Sequence, residues 1–116
     1  MSIRSLRAFA IGWLTSLVVS HPAMCDPAAA STTVVIEKFA FSPAEISAPV
    51  GARILFLNRD QAPHAVVGEN VNGEVFHSQE HIEEDGTYSV ELTTPGEIEF
   101  HCGVHSAMKG RITVSK

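Results

Sequence analysis

Short stretches of alternating apolar and polar residues run along the chain from about residue 33 to its end. Thr33–Glu37 is rich in β-branched residues, and Thr87–Thr93 alternates cleanly. A period of two is typical of a β-strand with one buried face. The apolar run within Arg53–Asn58 is instead continuous, which predicts a strand buried on both faces. No segment of this region has a convincing helical period.

Further strands are predicted where short apolar runs end at proline, glycine or asparagine. They cover residues 39–43, 45–51 (a short edge strand), 64–67, 98–102 and 111–114. Residues 59–63 and 94–97 are predicted turns, and residues 68–74 are predicted to form a loop because they contain two glycines and two asparagines. Seven to eight short strands at this spacing predict an all-β fold, a Greek-key β-sandwich.

The first thirty residues have the features of a secretory signal peptide. Arg4 and Arg7 precede an apolar run from Ala8 to Val19, and small residues follow. The run is shorter than the roughly 20 residues that a bilayer span needs. We therefore predict a signal peptide over residues 1–30, a mature domain over residues 31–116, export to the periplasm and no stable membrane insertion of the mature protein.

Cys25 lies near the end of this segment and bears on the cleavage site. Cleavage is expected after Cys25, with Ala23 at the minus-three position, or after Ala30. In the alternative, Cys25 is lipidated, but Met24 before it is bulky where a small residue is expected. If Cys25 is removed, the mature chain holds one thiol, Cys102, and no internal disulfide can form.

The length and charge of the remaining part of the chain limit its possible partners and its number of domains. From residue 31 onward, acidic residues outnumber basic residues by 12 to 6, and the whole chain has a net charge of −5. Such a surface argues against nucleic acid as a partner. The length suits one small domain, marginally stable by itself, and a bound metal would stabilise it by mass action. We expect this domain to be a monomer.

Three side chains that can bind a metal lie at equal spacing near the C-terminus. Cys102, His105 and Met108 follow one another at intervals of three residues. Copper prefers a soft thiolate and thioether combined with an imidazole, whereas zinc makes little use of methionine, and magnesium and calcium need oxygen ligands. The segment therefore predicts a copper site.

A second, distant histidine would complete such a site. His64 is the leading candidate, because two histidines and one cysteine in a plane with a weak axial methionine form the mononuclear blue-copper arrangement. Ile98, Phe100 and Cys102 share the inward face of the predicted strand over residues 98–102. His101 faces the opposite way, so we expect it to lie outside the ligand set.

Other interpretations of these residues have less support. A buried, inert Cys102 does not explain the ligand spacing around it, and a cysteine nucleophile paired with His101 or His105 lacks a family signature and a third orienting group. His77 and His81 have the i, i+4 spacing that could hold a second metal on a helix. No apolar helical stripe accompanies them, so we predict that they face solvent.

The order of these motifs resembles the cupredoxin family over essentially all of Thr33–Val114. The shared pattern is Phe41-x-Pro43, Gly51, Asn58-Arg59-x-x-x-Pro63-His64, Gly86-Thr87-Tyr88, Pro95-Gly96 and Phe100-His101-Cys102-x-x-His105-x-x-Met108-x-Gly110. The two residues between histidine and methionine are similar to amicyanin-like cupredoxins, as is the Asn-Arg-x-x-x-Pro-His run.

The resemblance implies a type 1 copper site and single-electron transfer in the periplasm. It implies His64, Cys102 and His105 as copper ligands, with Met108 in the axial position. By the same analogy, electrons leave through His105. The residues expected to form an apolar patch around it are Pro63, Val104, Ala107 and Met108.

Three positions depart from the pattern of these relatives. The residue after the first histidine ligand is usually asparagine, and the residue after the cysteine usually bears a hydroxyl, which together tie the two ligand loops. This chain has Ala65 and Gly103 instead, and Ser106 where a proline often follows the second histidine. The site is therefore expected to be looser, or braced by another residue such as Asn58.

Several functions agree with these residues. The first is a soluble copper protein that carries single electrons between redox partner proteins. The second is a copper-binding protein for resistance, delivery or storage. An enzyme, such as a fragment of a multicopper oxidase or nitrite reductase, is disfavoured because such chemistry needs further copper ligands and usually further domains. A dinuclear copper centre would need two cysteines in the loop.

Overall fold

The computed structural model describes residues 12, 16–18, 30–78 and 80–116. These residues form nine β-strands: β1 (Ser31–Glu37), β2 (Ala40–Ser42), β3 (Glu45–Pro49), β4 (Arg53–Asn58), β5 (Val66–Asn70), β6 (Gly73–His77), β7 (Thr87–Glu91), β8 (Gly96–Cys102) and β9 (Lys109–Ser115). Cys25 and nearly all of the predicted signal peptide lie outside the described residues. Within the described ranges, no helix is long and apolar enough to cross a membrane.

The strands form two sheets that pack face to face. One sheet has the order β2-β1-β4-β7, and the other has the order β3-β9-β8-β5-β6. β1 and β4 are parallel, as are β3 and β9, and the other pairs are antiparallel. The predicted β-sandwich is confirmed, with nine strands rather than seven to eight. β3 pairs only with β9, as expected of the predicted edge strand.

The core lies between the two sheets and includes a cluster of aromatic rings. The Phe100 ring contacts Phe41 and Phe56 edge to face, with ring centroids 4.9 and 5.5 Å apart. Ile98, Phe100 and Cys102 are all buried, as their alternation in β8 predicts. The same inward face therefore carries both a central core aromatic and the candidate thiolate ligand.

Two sequence expectations about the strands are wrong. β4 is not buried on both faces: Ile54, Phe56 and Asn58 are buried, but Leu55 and Leu57 are only half-buried. The physical reason is that, among the residues that the structure describes, no further layer covers the second face of this sheet. The apolar run reflects the central place of β4 between β1 and β7.

Residues 68–74 are not a loop, because β5 and β6 form a hairpin there. Its turn consists of Val71 and Asn72 only. Gly68 is part of β5, and a Cβ at this position would overlap the ring of Phe76 in β6. The glycine therefore makes room for an aromatic side chain on the paired strand.

Candidate metal centre

The candidate site lies at one end of the sandwich, where two connections between strands meet. The first connection follows β4 and carries His64, which forms an isolated bridge with Ile82. The second joins β8 to β9 and carries His105 between Cys102 and Met108. Residues from the middle and the end of the chain are therefore brought together.

His64 is fully buried, and hydrogen bonds to its backbone hold it in place. Its N–H donates to the carbonyl of Ile82 at 3.1 Å, and the N–H of Ile82 donates back to the His64 carbonyl at 2.6 Å. This reciprocal pair fixes the backbone from which the imidazole projects.

Asn58 braces the turn that leads to His64. Its fully buried side chain donates from Nδ2 to the carbonyls of Ala62 and Ile82, at 2.9 and 2.8 Å. Its Oδ1 accepts a hydrogen bond from the N–H of Asp60 at 2.9 Å. The sequence expectation that Asn58 could brace the site agrees with these contacts.

Asp60 fixes the orientation of the His64 ring. Oδ2 of Asp60 lies 2.8 Å from Nε2 of His64, and the Asp60 side chain is 13% exposed. With Nε2–H donating to the carboxylate, Nδ1 is left as the ligating atom. Nδ1 is also the ring nitrogen that faces the Cys102 sulfur.

The carboxylate of Asp60 accepts two further hydrogen bonds, from the backbone N–H groups of Lys38 at 2.7 Å and Phe39 at 3.0 Å. Desolvation raises the pKa of Asp60, but the hydrogen bonds from Phe39, His64 and Lys38 and the charge of His64 together lower it more. The pKa of Asp60 therefore lies below its ordinary value, and the group is an anion at neutral pH.

The loop between β8 and β9 is closed by its own backbone. The N–H of Cys102 donates to the carbonyl of Met108, and the N–H of Met108 donates to the carbonyl of His105, both at 3.0 Å. Cys102 and Met108 are buried and His105 is half-buried. Three candidate donors thus lie on one tight loop.

The spacing of the donor atoms fits a metal ion. Sγ of Cys102 lies 3.6 Å from Nδ1 of His64 and 3.8 Å from Nδ1 of His105. All three ligand atoms lie within 4.8 Å of one another. Bonds of about 2.0 Å to nitrogen and about 2.3 Å to sulfur, at angles of about 110–120°, place the two atoms about 3.5–3.7 Å apart. One thiolate and two imidazoles at this spacing suit copper.

The two ligand loops are joined by backbone atoms. The N–H of Gly103 donates to the carbonyl of Ala65 at 3.1 Å. A Cβ on Gly103 would lie 3.4 Å from the Cβ of Ala65, which is ordinary contact distance. A main-chain hydrogen bond therefore links the loops here, between the positions whose side chains tie them in similar proteins.

The hairpin turn between β1 and β2 packs over both histidines. The Phe39 ring contacts His64 and His105 edge to face, with centroids 5.2 and 5.0 Å apart. The His64 and His105 ring centroids are themselves 5.1 Å apart. Phe39 is 53% exposed despite these contacts.

The other predicted residues are placed as follows. His101 is half-buried, pairs with Val67 and Lys109 across the sheet, and lies outside the group of donors. His77 and His81 are exposed, as predicted. In the ranges that the structure describes, neither belongs to a group of three or more His, Cys, Asp or Glu side chains close enough to share an ion.

The predicted apolar patch around His105 needs one correction. Val104 and Ala107 are exposed and Pro63 is half-buried, as a surface patch requires. Met108 is only 5% exposed, because its side chain belongs to the buried core cluster. The prediction that Met108 forms part of this surface is therefore wrong.

A family model described as a cupredoxin-like domain matches residues 6–114. The chain belongs to the cupredoxin family. The resemblance inferred from the sequence is confirmed, and so is the predicted cofactor, one copper ion, because family membership and the grouping of His64, Cys102 and His105 agree on a type 1 site.

Amicyanins and plastocyanins are among the relatives of this cupredoxin. Amicyanin-alpha of Methylorubrum extorquens is 30% identical over 99 residues, which cover 79% of this chain and 78% of the relative. Plastocyanin A/B of Petroselinum crispum is 34% identical over 84 residues, which cover 65% of this chain and 87% of the relative.

Solved structures with the same fold include amicyanins. A reduced tryptophan-to-tyrosine variant of amicyanin is 28% identical, with a TM-score of 0.66, over 73% of this chain and 82% of that chain. A copper-containing nitrite reductase from Thermus scotoductus is also 28% identical, with a TM-score of 0.67, but the match covers only 22% of that chain. The cupredoxin fold thus occurs both alone and as part of a longer chain.

Sequence reasoning missed two residues that contact the histidines. The sequence places Asp60 only in a predicted polar turn, although its position four residues before His64 could have suggested a hydrogen-bond partner for the imidazole. The sequence places Phe39 in a predicted strand. No local pattern of the chain predicts that the β1–β2 turn reaches His64 and His105.

Proposed function

We propose that this cupredoxin is an exported type 1 copper protein that carries single electrons between redox partner proteins. The observation that carries the proposal is the convergence of one thiolate and two imidazoles on one point, at separations of 3.6 and 3.8 Å. The predicted signal peptide and the amicyanin relatives support a periplasmic location for the mature domain, with cleavage near residue 25 or 30.

The proposed ligands are His64, Cys102 and His105, with Met108 as the weak axial ligand. Copper bound there would supply a one-electron Cu(II)/Cu(I) couple. The chain holds its donors in a sheet-anchored frame: Asp60 and the backbone of Ile82 fix His64, and the closed loop fixes the others. Donors held in this way need little rearrangement when an electron arrives or leaves, which favours fast exchange.

His105 is the proposed point at which electrons enter and leave. It is the half-buried member of the three donors, whereas His64 and Cys102 are fully buried. The apolar surface beside it includes the exposed side chains of Val104 and Ala107. A small apolar contact of this kind suits brief encounters with redox partners, and we propose no enzymatic activity and a monomeric protein.

The experiment is to express the full chain with its leader, purify the processed protein and load it with Cu(II). We expect one copper per chain, an intense thiolate charge-transfer band and reversible one-electron voltammetry. Cys102→Ser should remove the band, and the matched surface variant His77→Ala/His81→Ala should keep the band and the stoichiometry. The intact mass of the processed protein and its cell fraction test the leader and the location.

The alternative function is copper delivery or storage with the same ligands. A colourless protein that binds only Cu(I), with no reversible couple, would overturn the electron carrier in favour of this function. Two or more tightly bound copper ions, reduced to one by His77→Ala/His81→Ala, would also contradict the proposal.

A further inference from the structure

The turn that joins β1 to β2 has an unusual conformation for its sequence. It consists of Lys38 and Phe39, which both have positive φ angles, of 53° and 58°. A two-residue hairpin loop with positive φ at both positions favours Asn-Gly or Asp-Gly, because side chains with a Cβ are strained in this region. The conformation of the turn therefore does not explain why a lysine and a bulky aromatic residue occupy these two positions.

Asp60 holds this turn in its left-handed form. Its Oδ1 accepts from the N–H of Lys38 and its Oδ2 accepts from the N–H of Phe39. The same Oδ2 lies 2.8 Å from Nε2 of His64. One carboxylate thus connects the backbone of the turn to the side chain of a copper ligand.

The Phe39 ring in turn contacts both imidazoles at nearly perpendicular angles. The interplanar angle is 80° with His64 and 90° with His105. Edge-to-face pairs at centroid distances near 5 Å are favourable contacts with a defined orientation. His105 lies on a loop, and the described contacts of its side chain are Cys102, His64 and Phe39.

We propose that Phe39 is a positioning residue for the metal centre: the Lys38–Phe39 turn, held by Asp60, keeps the His64 and His105 rings in their ligating orientation. This inference rests on the proposed ligand set. The turn in this conformation places an aromatic ring against both imidazoles. The half-exposed phenylalanine is thereby given a function in the site rather than in the core.

The test compares Phe39→Ala and Phe39→Tyr with the unchanged processed protein. We expect Phe39→Ala to lose Cu(I) to a competing chelator about 10-fold faster, because changes to residues that orient metal ligands lower metal affinity about 10–100-fold. Its thiolate charge-transfer band should shift or broaden, because the imidazoles have more than one orientation. Phe39→Tyr, which keeps the ring, should have the chelator rate and the charge-transfer band of the unchanged protein. Val71→Ala, at a fully exposed residue of the β5–β6 turn, is the control and should change neither.

The outcomes separate this inference from the proposed function. If the unchanged protein has no thiolate band, the proposed function fails. If it has the band, and Phe39→Ala keeps the same spectrum and chelator rate, only the positioning role is refuted. If circular dichroism shows that Phe39→Ala does not fold, Lys38→Gly/Phe39→Ala is compared with Lys38→Gly, because glycine relieves the strain at residue 38. Faster copper loss in the double variant supports the inference, and equal loss refutes it.

Discussion

The carboxylate of Asp60 and the imidazole of His64 form a part-buried pair in which Oδ2 lies 2.8 Å from Nε2. The pair leaves Nδ1 of His64 directed at the Cys102 sulfur. Because the same carboxylate also accepts two backbone hydrogen bonds from the β1–β2 turn, it stabilises the fold and the site together.

Replacing Asp60 with asparagine should lower both the stability of the fold and the copper affinity of the site. An amide has one acceptor oxygen, and its NH2 group can only donate. Asparagine therefore cannot accept hydrogen bonds from all three donors that now converge on the carboxylate. We expect the free energy of unfolding of the metal-free protein to fall by about 2–3 kcal/mol. Copper affinity should fall by about 10–100-fold, the usual cost of losing a hydrogen-bond partner of a ligating histidine. Chemical denaturation and chelator competition measure the two effects.

Asp85→Asn is the matched control for this substitution. Asp85 pairs with Arg59 at 2.8 Å, but both side chains are more than half exposed. Exposed ion pairs contribute about 0–1 kcal/mol, and asparagine tolerates the positive φ angle of residue 85. Equal effects of the two substitutions on copper affinity would refute the role assigned to Asp60.

Asn58 should be nearly as sensitive, although it contacts no proposed ligand side chain. Asn58→Ala leaves the carbonyl of Ala62 and the N–H of Asp60 without their present partner, and the carbonyl of Ile82 keeps only its bond from the N–H of His64. Unsatisfied buried polar groups are costly, so we expect a loss of about 2–3 kcal/mol in denaturation experiments. Asn72→Ala, in the exposed β5–β6 turn, should stay within about 0.5 kcal/mol. A neutral Asn58→Ala would show that water or a rearranged turn replaces these bonds.

The chemistry of Cys102, His105 and Met108 made the copper site predictable from sequence. Their spacing is local, and strand parity distinguishes Cys102 from His101 without any three-dimensional information. His64 is distant along the chain but belongs to a motif shared with similar proteins. The Greek-key sandwich also followed from local alternation, because period-two stretches separated by turns are sufficient to indicate it.

The errors concern features that depend on contacts between different strands and turns. Gly68 suggested a loop, yet its role depends on the Phe76 ring of the neighbouring strand. The contacts of Asp60 and Phe39 with the histidines depend on how the β1–β2 turn approaches the turn after β4. No local pattern contains this information, since it depends on the pairing of β1 with β4, which other strands separate along the chain.

We expect Tyr88 to make the stability of the protein depend on pH. Burial raises the pKa of Tyr88 and is the largest cause, a backbone hydrogen bond from His77 lowers it to a smaller extent, and the charge of Glu74 raises it slightly further. The pKa in the folded state therefore lies above the ordinary value of 10.0. Its contribution to stability is fully present below the unfolded pKa and is lost as the pH rises through the folded pKa.

Ultraviolet titration can measure this directly, because Tyr88 is the only tyrosine of the chain. We expect phenolate absorbance to appear above pH 10 and stability to fall over the same interval. Glu74→Gln should move the titration back toward pH 10, and Tyr88→Phe should remove this part of the pH dependence. Titration of Tyr88 at or below pH 10 would contradict the expected direction.

Gly68 lies in close contact with Phe76. We therefore predict that the effect of Gly68→Ala on stability depends on whether the Phe76 ring is present. Every atom that a Cβ at Gly68 would approach most closely belongs to the Phe76 ring. Gly68→Ala alone should therefore cost about 1–3 kcal/mol through overpacking. In the Phe76→Ala background the obstacle is gone, and Gly68→Ala should be neutral or stabilise by about 0.5–1 kcal/mol, because alanine has less conformational entropy to lose than glycine. Denaturant titration of the four proteins gives the coupling energy. Equal costs of Gly68→Ala in both backgrounds would mean that backbone conformation, rather than the ring, selects glycine in β5.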